Sequence, residues 1–167
     1  MIFMIKNENI NILMEIERKW LIPLENIPEG LKETSPLSRV EQGYLNPNDE
    51  FLIRVRHNSH KKSPDVETYK LEIKSLGLFV RDEYRIDIDK EQFEEIYAKC
   101  PKKVTKTRYY HFVDDVQYEL DFYDDYDFVT LEIEFKTIED AENFQVPDWF
   151  GEDVTYKPEY KNVNLAK

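Results

Sequence analysis

Apolar and charged residues alternate through most of this chain, and this pattern limits the fold more than any other feature. A period of two residues is typical of β-strands, whose successive side chains point to opposite faces. The pattern occurs in eight segments: Glu15–Ile22, Arg39–Leu45, Phe51–His57, Val66–Ser75, Phe79–Ile88, Lys103–Val113, Val116–Tyr123 and Phe128–Thr137. Short turn-forming stretches separate them. The sequence therefore predicts eight antiparallel strands, a number at which a sheet commonly closes into a barrel.

Helical periodicity is confined to three short stretches, so the predicted fold class is mainly β, of the α+β type. Asp89 and Gln92 have the spacing of a capping box for a helix over Lys90–Lys99. A second short helix is predicted after Thr137, and a C-terminal helix is predicted to start at Pro158. We expect these helices to cover the outside of the barrel.

The charged residues of the strands are sorted by sign. Acidic pairs at alternate positions are Glu15 with Glu17, Glu119 with Asp121, and Glu132 with Glu134, and basic pairs are Arg54 with Arg56 and Lys106 with Arg108. Like charges two residues apart on one face lie ~6.6 Å apart and cost roughly 2–3 kcal/mol at an effective dielectric of about 20. On any single exposed strand, a solvated surface is the ordinary explanation. Repetition over many strands, with the signs kept apart, favours charged faces that share one interior.

An interior of this kind would have one acidic wall and one basic wall. Carboxylate oxygens suit hard cations such as Mg²⁺ or Mn²⁺, whereas arginine and lysine suit phosphate oxygens. A polyphosphate chelated to a divalent cation satisfies both walls at once.

Length and composition exclude several other classes of protein. The chain has 167 residues, enough for one domain with a real core, and its net charge of −12 opposes binding to nucleic acid or to an anionic membrane. A single cysteine, Cys100, forms no internal disulfide, which fits a cytoplasmic protein. We expect residues 14–167 to form one domain and residues 1–13 to be a disordered extension, so that Met1 and Met14 are alternative starts. A homodimer stays an open alternative.

One segment and the motifs that follow it resemble a known family. Glu15-Ile16-Glu17-Arg18-Lys19 has the pattern E-x-E-x-K, which by itself is weak. An ordered series of motifs follows it: Gln42-Gly43-Tyr44-Leu45, Arg54-Val55-Arg56, Lys74-Ser75, Arg81-Asp82-Glu83, Lys106-Thr107-Arg108-Tyr109, Glu119-Leu120-Asp121, Glu132-Ile133-Glu134, Trp149-Phe150-Gly151 and Tyr160-Lys161-Asn162. With this series the chain resembles the CYTH domain, or triphosphate tunnel metalloenzyme, superfamily from Met14 almost to its end.

The resemblance implies an eight-stranded tunnel in which acidic residues hold Mg²⁺ or Mn²⁺ and basic residues hold a triphosphate. The metal ligands implied are Glu15, Glu17, Asp121, Glu132 and Glu134, with Glu119 and Glu83 as candidate supporting members. The substrate-binding residues implied are Lys19, Arg54, Arg56, Lys74, Arg81, Lys106, Arg108 and, from the C-terminal helix, Lys161. A catalytic role falls to Glu15, Glu17, Lys19 and Glu134.

Within this family the short form of the chain looks most like bacterial members that hydrolyse inorganic triphosphate to pyrophosphate and phosphate. Three alternatives stay open: an adenylyl cyclase, a thiamine or nucleoside triphosphatase, and a noncatalytic module that only binds polyphosphate. Two residues depart from the family pattern. Glu72 stands where a small polar residue is expected and Arg85 where an acid is common, and the two are expected either to pair or to change the fit of the substrate.

Overall fold

The computed structural model describes residues 10–47, 51–61 and 66–167, and its main element is a closed antiparallel barrel. The strands are β1 (Ile10–Ile22), β2 (Leu37–Tyr44), β3 (Phe51–His60), β4 (Val66–Ser75), β5 (Val80–Asp87), β6 (Lys102–Val113), β7 (Val116–Tyr123) and β8 (Val129–Glu134). They are hydrogen-bonded in the order β1-β5-β4-β3-β2-β6-β7-β8, and the ring closes between β8 and β1. The predicted eight-stranded antiparallel barrel is thus confirmed.

Strand β1 closes the barrel by pairing with a different neighbour along each of its two halves. Its residues 10–16 pair with β5, and its residues 17–22 pair with β8. Glu17 lies where the partner changes, and it stands directly opposite Glu134 of β8. The strand that carries the E-x-E-x-K motif therefore brings residues from both of its neighbours next to that motif.

The start of β1 differs from the sequence pattern. The strand begins at Ile10 rather than at Glu15, because β5 offers backbone partners as far as Ile86. Residues 10–13 of the expected extension are consequently part of the barrel, whereas residues 1–9 lie outside the described residues. The pattern missed these four residues because Leu13 replaces the charged residue that alternation requires.

Short helices and turns connect or cover the strands. The helices are α1 (Leu31–Thr34), α2 (Lys90–Lys99), α3 (Ile138–Asn143) and α4 (Asn162–Leu165), with 3-10 turns at Leu24–Asn26 and Pro158–Tyr160. The predicted capping box of α2 is confirmed: the Asp89 carboxylate accepts a hydrogen bond of 2.8 Å from the backbone N–H of Gln92. The predicted C-terminal helix is instead a 3-10 turn followed by α4, since Lys161 between them has an extended backbone.

Two of the three apolar clusters lie on the outside of the barrel wall, and the third, with Tyr44, Leu52 and Val163, lies at one end of the barrel interior. On one side Trp20, Leu131 and Ile133 are buried beneath the segment that carries Phe144 and Phe150. The Trp20 ring lies 5.1 Å from that of Phe150, with an edge-on geometry that aromatic pairs favour. Most apolar packing therefore happens between the outer face of the barrel and its covering segments, which leaves most of the interior for other side chains.

Helix α2 covers a different part of the wall. Its Phe93 and the following Cys100 are buried against Val55 of β3.

Within the described ranges, no helix is long and apolar enough to span a membrane.

Close contact between β2 and the end of α2 depends on Gly43. A Cβ atom at this position would lie 2.7 Å from the Cys100 sulfur and 2.8 Å from a ring carbon of Tyr97. We expect Gly43→Ala to lower the free energy of unfolding by about 1–3 kcal/mol, because overpacking forces α2 off the sheet. Urea unfolding checks this, and a midpoint equal to that of the natural chain would contradict it.

Candidate active site

Charged side chains fill the interior of the barrel, as the alternation predicted. The buried charged residues are Glu15, Lys19, Arg54, Glu72, Lys74, Glu83, Lys106, Arg108, Asp121 and Glu132. Because an isolated buried charge is very costly, such groups must be paired. Each of them makes at least one ion pair with another residue of this set, so acidic and basic walls neutralise each other across the interior.

Three carboxylates converge where β1 meets β8. Oxygen atoms of Glu15, Glu17 and Glu134 all lie within 4.8 Å of one another, and we call these residues the acidic triad. The strand register produces this arrangement, since Glu15 and Glu17 share one face of β1 and Glu134 is the cross-strand partner of Glu17. Glu15 is buried, Glu17 is half-buried and Glu134 opens to solvent.

The acidic triad holds more negative charge than its surroundings neutralise. Burial and the nearby carboxylates of Glu132 and Glu15 raise the pKa of Glu17 to about 7. The ion pair that Glu17 makes with Arg81 is long, with 3.6 Å between Arg81 Nη2 and Glu17 Oε2. Glu15 differs: burial alone would raise its pKa, but Lys74, at 3.0 Å, and Arg81 lower the pKa below its ordinary value.

This donor set fits a hard divalent cation. Mg²⁺ takes six oxygen ligands, usually one or two carboxylates together with water and phosphate oxygens, and Mn²⁺ also favours oxygen donors. Among the described residues, the acidic triad is the one group of three acidic, histidine or cysteine side chains close enough to share an ion. Glu15, Glu17 and Glu134 would hold the cation, and open coordination positions would be left for a substrate.

The other two predicted metal ligands, Asp121 and Glu132, do not belong to the acidic triad and pair with basic side chains instead. Asp121 accepts hydrogen bonds from Lys106 and, at 2.7 Å, from Arg108. Glu132 lies 2.5 Å from both Lys19 Nζ and Arg108 Nη2. The structure thus joins these two acids to the basic side chains of β1 and β6.

The two candidate supporting acids are also paired with basic groups. Glu119 pairs with Arg108, and Glu83 lies 3.1 Å from Lys74 Nζ. The structure therefore divides the predicted ligands into a converging triad and a set of buried ion-pair partners.

Five predicted phosphate-binding residues meet at one mouth of the tunnel, which we call the upper mouth. They are Lys19, Arg54, Lys74, Arg81 and Lys161, and together with Glu17 they line one cavity. The C-terminal segment closes this mouth. Lys161 Nζ donates a 2.6 Å hydrogen bond to the Gly77 carbonyl, and Lys19 Nζ donates one of 3.1 Å to the Tyr160 carbonyl.

The remaining predicted phosphate-binding residues lie deeper or at the other end. Lys106 is completely buried, and its ammonium group contacts Asp121 and, at 3.4 Å, the side chain of Asn162. Burial lowers the pKa of Lys106 to about 8, although Asp121 opposes this. Arg56 faces the opposite mouth, which we call the lower mouth.

Sequence reasoning missed some polar residues of the interior. Asn162 accepts a 2.8 Å hydrogen bond from the Tyr123 hydroxyl, and Gln42 is buried beside the ion pairs. Both stand in the motif series, so their presence there was the available signal. The two departures from the family pattern do pair: Arg85 Nε lies 3.6 Å from a Glu72 oxygen, although Arg85 lies closer, at 2.6 Å, to Glu83.

Comparison with known proteins identifies relatives of the whole chain. No family model matches the chain. An inorganic triphosphatase from Nitrosomonas europaea is 37% identical in an alignment 159 residues long. The alignment covers 92% of this chain and 97% of that protein. A crystal structure of an inorganic triphosphatase has a TM-score of 0.63 at 34% identity and covers 91% of this chain and 93% of its own.

A more distant structure shares only the fold. A Hippeastrum protein, described as a candidate adenylyl cyclase with a dominant triphosphatase activity, has a TM-score of 0.57 at 16% identity and covers 77% of this chain and 82% of its own. The closer relatives decide the family, because their identity and coverage extend over nearly the whole of both chains. The chain therefore belongs to the family of the inorganic triphosphatases, within the CYTH-domain or triphosphate tunnel metalloenzyme superfamily that its motifs predict.

Proposed function

We propose that this protein hydrolyses inorganic triphosphate to pyrophosphate and phosphate with the help of Mg²⁺ or Mn²⁺. The observation that carries the proposal is the position of the acidic triad directly beside the five basic residues of the upper mouth. The 37% identical inorganic triphosphatase of Nitrosomonas europaea supports the choice of substrate.

The basic residues of the upper mouth would bind and orient the phosphates. Arg54 and Arg81 can donate to two phosphate oxygens at once, whereas Lys74 and Lys161 act as point charges. Their spread around the cavity is suited to a chain of several negative groups. By neutralising charge on the leaving pyrophosphate, they would stabilise the transition state.

The acidic triad would hold the divalent cation beside the phosphates. Held by Glu15, Glu17 and Glu134, such a cation would supply Lewis-acid chemistry: it would lower the pKa of a water and so make that water a better nucleophile. The triad residues belong to β1 and β8, which are hydrogen-bonded to each other in the barrel. The backbone positions of the triad are therefore set before the substrate arrives. The proposed reaction does not require a nucleophilic side chain, because water is the nucleophile.

Substrate binding also requires an exchange of ion pairs. Lys74 and Arg81 now contact Glu15, and Lys19 contacts Glu132. Triphosphate would take over the basic groups, and the cation would take over the carboxylate of Glu15. Without ligands, the carboxylates of the tunnel therefore occupy the basic groups that would bind substrate. The same ion pairs occupy the carboxylates that would bind metal.

Glu134→Gln tests the role of the acidic triad. The change keeps the size of the side chain but removes one anionic ligand, and we expect phosphate release from inorganic triphosphate to fall about 100-fold. Release is measured with Mg²⁺, with Mn²⁺ and with a chelator. Glu94→Gln on the exposed face of α2 is the matched control and should retain full activity.

Parallel assays with ATP and thiamine triphosphate separate this proposal from its alternatives. Faster turnover of an organic triphosphate, or cyclic AMP as a product, would overturn the inorganic substrate. Tight binding of triphosphate and metal without any phosphate release would leave only a binding module.

Lys161→Met tests the C-terminal segment at the upper mouth. Removing this charge while keeping an unbranched side chain should raise the KM for triphosphate about tenfold, the loss expected for one charge-assisted contact. Steady-state kinetics measure this, with Lys99→Met on α2 as the exposed control. A KM equal to that of the natural chain would remove Lys161 from the substrate site.

A further inference from the structure

The lower mouth of the tunnel opens into a second cavity of about 150 Å³. Its wall is formed by residues of six strands: Val40, Arg56, Asn58, Arg85, Arg108, Tyr110, Glu119 and Glu134. The cavity therefore borders the acidic triad, through Glu134, from the side opposite the upper mouth. Asn58 and Tyr110 add neutral polar groups to an otherwise charged lining.

Arg56 and Arg85 are held side by side in this cavity by one shared carboxylate. Oε1 of Glu72, a fully buried residue, lies 2.9 Å from Arg56 Nη2 and 3.6 Å from Arg85 Nε. The Nε groups of both arginines are buried and have no hydrogen-bond acceptor. A buried donor without an acceptor is costly, and such groups are normally satisfied by protein, water or a ligand.

The charges around this pair of arginines do not balance. Glu72 and Glu83 are the two carboxylates of the cluster, and four basic residues contact them: Arg54, Arg56, Lys74 and Arg85. Lys74 also pairs with Glu15, so these four basic residues exceed their carboxylate partners by one positive charge. Burial by itself would raise the pKa of Glu72, but Arg54 and Arg56 lower it, so Glu72 stays ionised and keeps the arginines in place.

The other charged groups of the cavity do not cancel this excess. Arg108 is committed to Asp121, Glu119 and Glu132, which also neutralises the Glu119 carboxylate. Glu134 belongs to the acidic triad, where a bound cation would offset its charge. An anion that enters from the lower mouth would therefore meet Arg56 and Arg85 as its available partners.

We propose that Arg85, together with Arg56, forms a second phosphate-binding subsite at the lower mouth of the tunnel. The inference rests on the proposed function, because it places a phosphate on the far side of the same acidic triad. The tetrahedral oxyanion has two sources: a fourth phosphate unit of a linear polyphosphate longer than triphosphate, or the orthophosphate that hydrolysis releases. Arg85 and Arg81 are four residues apart on β5, ~13 Å along the strand, with Glu83 between them on the same face.

Arg85→Gln is the variant that tests this subsite, since glutamine still offers a donor to Glu83 but carries no charge. The KM is measured for triphosphate and for linear tetraphosphate, and product inhibition by orthophosphate is measured in the same assay. If the subsite holds a fourth phosphate, the KM for tetraphosphate rises about tenfold more than that for triphosphate. If it holds the product, orthophosphate inhibits about tenfold less and both chain lengths respond alike.

Controls separate charge from folding. Arg85→Lys keeps the charge and should restore most of the lost binding, whereas Arg39→Gln removes an arginine paired with Asp124 on the outer face and should change neither quantity. Thermal unfolding shows whether each variant is folded. If Arg85→Gln does not fold, Arg56→Gln, which removes the charge of the other arginine of the subsite, is tested in its place.

A calorimetric titration with inorganic phosphate in the presence of Mg²⁺ makes the test independent of turnover. It decides the subsite even if the protein releases no phosphate from any substrate, an outcome that would overturn the proposed function alone. Equal phosphate affinity in Arg85→Gln and the natural chain, with equal ratios of the two KM values, would overturn the subsite. In that case Arg85 only neutralises Glu83.

Discussion

The charges buried inside the barrel must neutralise one another, and the rest of the structure depends on this requirement. Lys106 with Asp121, and Arg54 with Glu72, are pairs whose members could not stay buried alone. Removing one partner of such a pair is far more costly than the pair itself is stabilising. The interior therefore fixes which strands must be neighbours, because a shifted register would bring like charges together. Ion pairing of this kind contributes more to specifying the barrel than to stabilising it.

Stability has to come from apolar burial, most of it on the outer face of the barrel and the rest at the end that the C-terminal segment closes. Trp20, Leu131 and Ile133 lie beneath one covering segment, and Val55 lies beneath α2. This arrangement reverses the usual one, in which a small barrel is filled by apolar side chains. It explains why a chain with a mainly β fold needs α2, α3 and the segment around Phe150, and why Gly43 must leave room for α2.

The sequence predicted the barrel and its interior because both follow from a period of two. Alternation decides which residues face inward, so Glu15, Lys19 and Arg108 could be placed without coordinates. It does not decide which inward residues meet, since that depends on register: Glu134 joins Glu17 only because β8 pairs opposite that part of β1. The sequence did not predict the 3-10 turn at Pro158–Tyr160 or the early start of β1 for a related reason. Tertiary contacts rather than local patterns set both features.

The same neutralisation explains why metal and polyphosphate suit this tunnel as a pair. A cation that bound alone would take Glu15 from Lys74 and Arg81, which would leave Lys74 with Glu83 and Arg81 with the more distant Glu17 as their remaining carboxylates. Triphosphate bound alone would take up those two side chains and leave Glu15 unpaired among the carboxylates of the acidic triad. Bound together, the two ligands satisfy both sets of groups at once. Under the proposed function, each ligand would therefore strengthen the binding of the other through the ion pairs that both replace, and this coupling would be reciprocal.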